Sequence, residues 1–351
     1  MDGKRRKPDQ GLSYRDSGVD VDAQEIALHR IKALIAATRT EGVLSELGSF
    51  GGLFELDLEG LKKPVLVSST DGVGTKLKVA FETGIHNTIG HDLVNHCVND
   101  ILVQGARPLF FMDYVACGHL EPNVLAEIVE GVANGCRDAG CALLGGETAE
   151  MPGFYGDGEY DIAGFIVGVV DRRQIIDGNE IRAGQLLIGL PSAGLHTNGY
   201  SLARKIFFEV AGLTVGDEID VLEGSVGEAL LGTHRSYRNQ LLRPIADRWI
   251  KGLVHITGGG MTDNIPRVLP PGLSVQIQRG TWPVPPIFHF LQQTGRVLTD
   301  EMYRVFNMGV GMIAICDPDE AVLLECHLDR LGKPHHRIGQ VVKGGDGVIY
   351  V

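Results

Sequence analysis

An apolar run, Pro64-Val65-Leu66-Val67, passes without a break into Ser68-Ser69-Thr70-Asp71-Gly72-Val73-Gly74-Thr75-Lys76. The run reads as a buried strand, so it delivers a carboxylate, two glycines and a lysine to one rim of a sheet. Glycines there let backbone N–H groups approach a polyphosphate, the lysine neutralises it, and Asp71 can hold a divalent cation. The spacing is not that of a Walker A loop. Alone, such a segment is more often just a tight turn, and the residues downstream decide between the two.

At 351 residues the chain outgrows a single core of ~250–300 residues and predicts two domains. We expect a flexible basic terminus over 1–12 (Lys4, Arg5, Arg6, Lys7), an N-terminal domain over 13–172 and a C-terminal domain over 173–351, with the charged, turn-rich Asp171–Gly184 stretch at the boundary. The 48 glycines follow no collagen-like period, so many backbone positions need unusual dihedrals or close ligand approach. A net charge of −12 argues against general nucleic-acid binding, but a phosphorylated substrate needs only a local positive site. The six cysteines show neither a C-x-x-C pair nor zinc spacing and read as buried reduced thiols. With no signal peptide and no long apolar run, a cytoplasmic protein away from membranes is expected.

Three more strand-to-loop junctions carry chemistry. Ala142-Leu143-Leu144 runs into Gly145-Gly146-Glu147-Thr148. Gln185–Leu190 leads through Ser192 and His196-Thr197-Asn198 into a helix over Leu202–Val210, an arrangement that presents free N–H groups to an anion. Leu253–Thr257 enters Gly258-Gly259-Gly260. Helices are predicted over Gln24–Thr38, with Asp22 as N-cap, Asn87–Gln104 and Leu125–Ala139. On the second of these Asp92, His96 and Asp100 recur at i, i+4 and i+8 with Asn95 and Asn99 beside them, while Ile89, Leu93, Cys97 and Ile101 line another face. The polar face is either solvated or turned toward a ligand; it contains no lysine or glutamate. The Gly51-Gly52 passage reads as a phosphate-covering flap or a hairpin. Two acid-bearing glycine junctions and an acid-amide helix together suggest a split cation and polyphosphate site.

Five motifs then stand in one order: Asp71-Gly-Val-Gly-Thr-Lys76, Asn99-Asp-Ile-Leu-Val-Gln-Gly105, Gly145-Gly-Glu-Thr-Ala-Glu-Met-Pro-Gly153, His196-Thr-Asn-Gly-Tyr-Ser-Leu202 and Thr257-Gly-Gly-Gly260. Together they closely resemble the phosphoribosylformylglycinamidine cyclo-ligase (aminoimidazole ribonucleotide synthetase) family, from about Ser13 to the C-terminus. The resemblance implies a two-domain α/β fold, with N-terminal domains pairing into a dimeric β-barrel and a C-terminal mixed sheet flanked by helices. It also implies a homodimer with ATP sites near its interface, and ATP-dependent closure of an imidazole ring.

On that basis Asp71, Asp100 and Glu147, with Asn95, are expected to hold Mg²⁺. Gly72, Gly74, Thr75 and Lys76 would hold the polyphosphate, with Gly51, Gly52, Gly145, Gly146 and Thr148 assisting. Ser69, Ser192, His196, Thr197, Asn198 and Gly259 would meet the ribonucleotide. Asp71, Lys76 and His196 are the catalytic candidates, with the general base open between His196 and Asp71. The loop reads Ser-Ala-Gly-Leu-His-Thr-Asn where the family often has Ser-Ser-Gly-Pro-His-Ser-Asn, a conservative change. Rival readings are another ATP-using relative, such as thiamine-monophosphate kinase or selenophosphate synthetase, or a catalytically silent nucleotide-binding protein. The reactive N-terminal cysteine typical of selenophosphate synthetase has no counterpart before Cys97.

Overall fold

The computed structural model describes residues 12–345 and 347–351, so the basic Lys4–Lys7 segment lies outside the described residues. The N-terminal half comprises α1 (Val21–Ala36), β1 (Pro64–Gly72), α2 (Leu77–Thr83), α3 (Asn87–Leu102), β2 (Arg107–Cys117), α4 (Pro122–Ala139), β3 (Ala142–Glu150) and β4 (Tyr160–Asp171). The α1 cap is Asp20 rather than Asp22, because the Asp20 carboxylate accepts the N–H groups of both Asp22 and Ala23. Asp71 and the Gly145–Glu150 stretch, expected in turns, are the last residues of long strands. The sheet runs β1-β4-β2-β3, antiparallel except for the β2–β3 pair that α4 connects.

Helices α3 and α4 cover one face, where Leu93, Cys97, Ile101, Ile128 and Val132 are buried with Phe111, Ile162 and Ile166. They approach closely because glycine stands at their crossing. A Cβ on Gly90 would lie 2.2 Å from the Ile128 carbonyl oxygen, and one on Gly131 2.0 Å from that of Asn87. The opposite sheet face leaves Leu66, Met112 and Phe165 exposed.

The C-terminal half holds β5 (Leu186–Pro191), α5 (Tyr200–Arg204) continuing as a wide turn through Val210, α6 (Val226–Leu230), α7 (Arg238–Ala246), β6 (Gly252–His255), α8 (Gly260–Asn264) and β7 (Leu273–Ile277). It ends with α9 (Pro286–Gly295), α10 (Thr299–Val305), β8 (Val310–Cys316), α11 (Pro318–Arg330), β9 (His336–Lys343) and β10 (Gly347–Tyr350). Its sheet order is β10-β7-β9-β5-β8-β6, parallel only at β10–β7. This is the α/β architecture with a mixed C-terminal sheet that the family resemblance implies. Five of the six free cysteines are buried and Cys326 is exposed. Among the described residues no helix is long and apolar enough to cross a membrane.

Candidate active site

The polar stripe of α3 is turned inward and divides its work. Asn95 donates from Nδ2 to the His234 carbonyl (2.8 Å), and Asn99 donates to the Arg235 carbonyl (2.8 Å) and accepts the Tyr237 N–H (3.0 Å). Asp92 accepts the His234 N–H at 2.6 Å. These three side chains clamp residues 234–237 of the C-terminal half. Asn95, expected as a metal ligand, is thus buried as a clamp.

Lys76 is also not where the sequence reading puts it. Its ammonium is fully buried, 2.7 Å from the Asp92 carboxylate, and donates to the carbonyls of Gly232 (2.8 Å) and His196 (3.3 Å). The chain enters a short helical turn after Gly74, which swings the lysine inward from the rim. Burial pulls the Lys76 pKa down and the Asp92 pKa up, while their mutual attraction opposes both shifts. A lysine held this way ties α2, α3 and the 196 and 232 loops together.

The remaining stripe residues, His96 and Asp100, open onto a cleft of roughly 570 Å³ between the C-terminal end of β1, α3, β6 and the Thr257 turn. Ser69, Asp71 and His255 share its wall. Asp71 accepts the His96 Nε2 hydrogen at 2.8 Å and the Gly72 N–H at 2.7 Å. Asp100 meets His255 Nδ1 at 2.8 Å and accepts the Ser69 hydroxyl at 3.0 Å. Burial works to raise both carboxyl pKa values, but the neighbouring imidazoles and hydrogen bonds prevail and hold both below the usual range. His96 is shifted upward, because the two aspartates outweigh its burial. Two carboxylates and two imidazoles therefore converge on one cleft.

Behind them lies a buried imidazole cluster. Thr197 Oγ1 is 2.8 Å from His96 Nδ1 and 3.2 Å from His234 Nδ1, and His234 Nε2 is 3.0 Å from His255 Nε2. His196, expected to meet substrate, belongs to this interior. Its ring stacks on His234 at 4.0 Å, Nε2 accepts the Ala193 N–H at 3.0 Å, and burial pushes its pKa far down, which keeps it neutral. The turn at His196 (φ 62°) folds the side chain under the loop instead of over it. Ser192 is likewise turned inward, onto Asn307 Oδ1 at 3.0 Å and the Gly194 carbonyl at 2.9 Å. Asn198 is only half-buried and faces the glycine turn, where a Cβ on Gly258 would lie 3.3 Å from its Oδ1. Its Nδ2 has no hydrogen-bond partner among the described residues. Gly259, at φ 97°, caps α8 in a conformation that favours glycine. Thr75 Oγ1 lies 3.0 Å from Ser201 Oγ, so the β1 turn touches the start of α5, and Gly74 faces open space.

Glu147 is not brought to this cleft within one chain. It lies on β3, the sheet edge opposite β1, roughly 14 Å away over three strand spacings. It lines a separate cavity of about 220 Å³ with α1 and Asp113, whose carboxyl burial pushes up to about 7. Gly146 stays glycine because a Cβ would meet Asp113 Oδ1 at 2.3 Å; the Thr148 carbonyl accepts from Gln24 Nε2 at 3.4 Å. Gly51 and Gly52 belong to this side too: a Cβ on Gly52 would strike Leu144, and Phe50 beside them is fully exposed. His255 is marked in the sequence only as a strand residue, and His234 is not marked at all. His234 sits in a loop with no periodicity, and nothing local marks it.

Residues 58–170 match the model of the AIR synthase related protein, N-terminal domain, and residues 182–351 that of the C-terminal domain. The chain belongs to the AIR synthase family. Its relatives named phosphoribosylformylglycinamidine cyclo-ligase include that of Geobacillus thermodenitrificans, 53% identical over 95% of this chain and 96% of its own length. That of Alkaliphilus metalliredigens is 50% identical over 96% and 97%, and that of Desulfitobacterium hafniense 52% over 97% and 100%. Among solved structures, thiamine-monophosphate kinase from Stenotrophomonas maltophilia superposes with a TM-score of 0.68 at 17% identity, covering 92% of this chain and 95% of its own. Hydrogenase maturation protein HypE in complex with ATP gives 0.63 at 19%, covering 92% and 90%. At such identities these two show the AIR synthase fold alone.

Proposed function

We infer that this chain is a phosphoribosylformylglycinamidine cyclo-ligase: it converts formylglycinamidine ribonucleotide and ATP into aminoimidazole ribonucleotide, ADP and phosphate. The observation that carries this is half-identity over nearly the whole length of both partners in relatives of that name. The formyl oxygen takes the γ-phosphoryl group of ATP, which makes it a good leaving group. A substrate nitrogen then attacks the activated carbon, the C–O bond breaks, phosphate departs, and the nitrogen's proton leaves to a base. Proximity within one molecule supplies much of the acceleration, and the protein's task is positioning and charge neutralisation.

The donor set in the cleft, two ionised carboxylates facing solvent, fits a divalent cation, and Asp71 and Asp100 would hold Mg²⁺ there. Bound Mg²⁺ supplies charge neutralisation of the phosphates. Gly72, Gly74 and Thr75, which follow Asp71 in the chain, would hold the polyphosphate, and Asn198 and the 257–260 turn are our choice for the ribonucleotide. Lys76 and His196 act as positioning residues, since neither ammonium nor imidazole reaches the cleft. The rival kinase reading has only fold likeness behind it. Purified protein supplied with ATP, Mg²⁺ and formylglycinamidine ribonucleotide should form aminoimidazole ribonucleotide and ADP in equal amounts. ADP released at the same rate without the ribonucleotide, and no ring product, would refute the reading.

The exposed apolar face of Leu66, Met112 and Phe165, bounded by two edge strands, supports a homodimer in which two such sheets close on each other. Joining the β1 edge of one copy to the β3 edge of the other would bring Glu147 toward Asp71 across the interface. The free thiols suit a reducing cytoplasm. Sedimentation should give about twice the 37.9 kDa of one chain, and a fully active monomer at micromolar concentration would contradict the arrangement. Asn198→Ala should raise the apparent KM for the ribonucleotide several-fold and leave that for ATP nearly unchanged. The reverse pattern would move the loop onto the nucleotide.

A further inference from the structure

We propose that the cation seat in this cleft is a mixed imidazole–carboxylate site, formed by His96 Nε2, His255 Nδ1 and Asp100 with Asp71 beside them, which takes a first-row transition-metal dication such as Mn²⁺ in preference to Mg²⁺. One ligand atom from each of His96, Asp100 and His255 lies within 4.8 Å of the others, close enough for one ion to touch all three at about 2.0–2.2 Å after small side-chain adjustments. Asp71 Oδ2, 2.8 Å from His96 Nε2, is available as a fourth ligand. Nitrogen donors shift a site toward first-row transition metals, with Mn²⁺ the weakest binder of that series, whereas Mg²⁺ favours carboxylate and water.

The far side of each ring is organised as metal-ligating histidines are. A ligating imidazole normally donates its other N–H to a fixed acceptor, which sets tautomer and ring orientation. His96 Nδ1 faces Thr197 Oγ1 at 2.8 Å, and His255 Nε2 faces His234 Nε2 at 3.0 Å. With the cleft-facing nitrogens on the ion, each ring carries its hydrogen at the far position. His96 then donates to Thr197, and His255 donates to His234. His234 keeps its own hydrogen on Nδ1, aimed at Thr197 Oγ1 (3.2 Å), and Asn99 Nδ2 approaches the same His234 Nε2 at 3.2 Å. Every ring nitrogen of the three has a complementary partner in that single assignment, so buried His234 and Thr197 serve as the orienting shell.

The proposal rests on reading this cleft as the cation site of the ATP reaction, and its test separates the two. The full-length protein is titrated with MnCl₂ and its bound Mn²⁺ is examined by electron spin-echo envelope modulation. The expected result is ¹⁴N coupling from directly bound imidazole, retained against a tenfold excess of Mg²⁺. His255→Gln should reduce the ¹⁴N signal and weaken Mn²⁺ binding by at least the roughly 10–100-fold that loss of an outer-shell partner costs; if that variant does not fold, the unmutated spectrum decides alone. Bound Mn²⁺ with oxygen ligands only, or Mn²⁺ displaced by equimolar Mg²⁺, would overturn the proposal and leave the carboxylate cation site standing. Absence of Mn²⁺ binding would overturn both. Nitrogen-coordinated Mn²⁺ in a protein that forms no ring product would support the site and refute the function.

Discussion

Lys76→Met should lower the stability of the fold by about 3–5 kcal/mol. The ammonium and the Asp92 carboxylate are both fully shielded from solvent at 2.7 Å. Removing the cation strands the carboxylate in a low-dielectric interior, held then only by the His234 N–H. Two backbone carbonyls, at Gly232 and His196, lose their donor as well. Because these loops carry the clamp between α3 and residues 234–237, the loss should appear as one cooperative shift of the urea midpoint. Replacing both partners, Lys76→Met with Asp92→Leu, should recover part of the deficit, since the stranded charge is then gone. A single variant that loses less than about 1 kcal/mol, or a double variant no better than the single, would show that the pair does not hold the loops.

Much of this molecule is legible in the sequence, for identifiable reasons. The β1 run, the α3 stripe and the glycine junctions are local patterns, in which burial periodicity and backbone freedom leave marks on neighbouring residues. The inward turn of the stripe can be suspected from its short side chains, yet its division into clamp and cleft cannot. That division depends on where residues 234–237 lie, more than a hundred positions downstream. Lys76 misleads for the same reason. A lysine after Asp-Gly-x-Gly-Thr looks like a phosphate ligand until the turn at Gly74 points it at Asp92. Gly145–Glu150 reads as a turn because glycine is a turn residue, but here glycine at 146 is required by the Asp113 carboxylate packed against the strand. His196 carries the strongest motif and is interior, while His234 carries none and holds the cluster together.

Asp71→Asn and Asp100→Asn should each lower turnover of the ring-closing reaction by more than about a hundredfold, with Glu147→Gln costing more than about tenfold. The first two keep the volume of the side chain and remove its charge. In the cleft both carboxylates are held ionised, so each would face a phosphate-bound cation as a full negative charge. At about 4 Å and an effective dielectric near 20, a unit negative charge against a dication is worth about 8 kcal/mol, twice the value for two unit charges. A hundredfold loss corresponds to about 2.7 kcal/mol, so the expected effect lies inside what one charge can supply. In the Asp71→Asn variant the new amide oxygen would still accept the Gly72 N–H, and in Asp100→Asn it would still accept the Ser69 hydroxyl. Thermal midpoints should therefore move by only a few degrees. A loss of activity in step with a loss of fold would point away from a cation role. The distinguishing measurement is the Mg²⁺ dependence of the rate at saturating ATP and ribonucleotide. If the carboxylates hold the cation, the half-saturating Mg²⁺ concentration rises in both variants and excess metal restores part of the rate. Unchanged turnover and Mg²⁺ dependence in both would remove Asp71 and Asp100 from the reaction, and Glu147 would then have no partner across the proposed dimer to complete a site with.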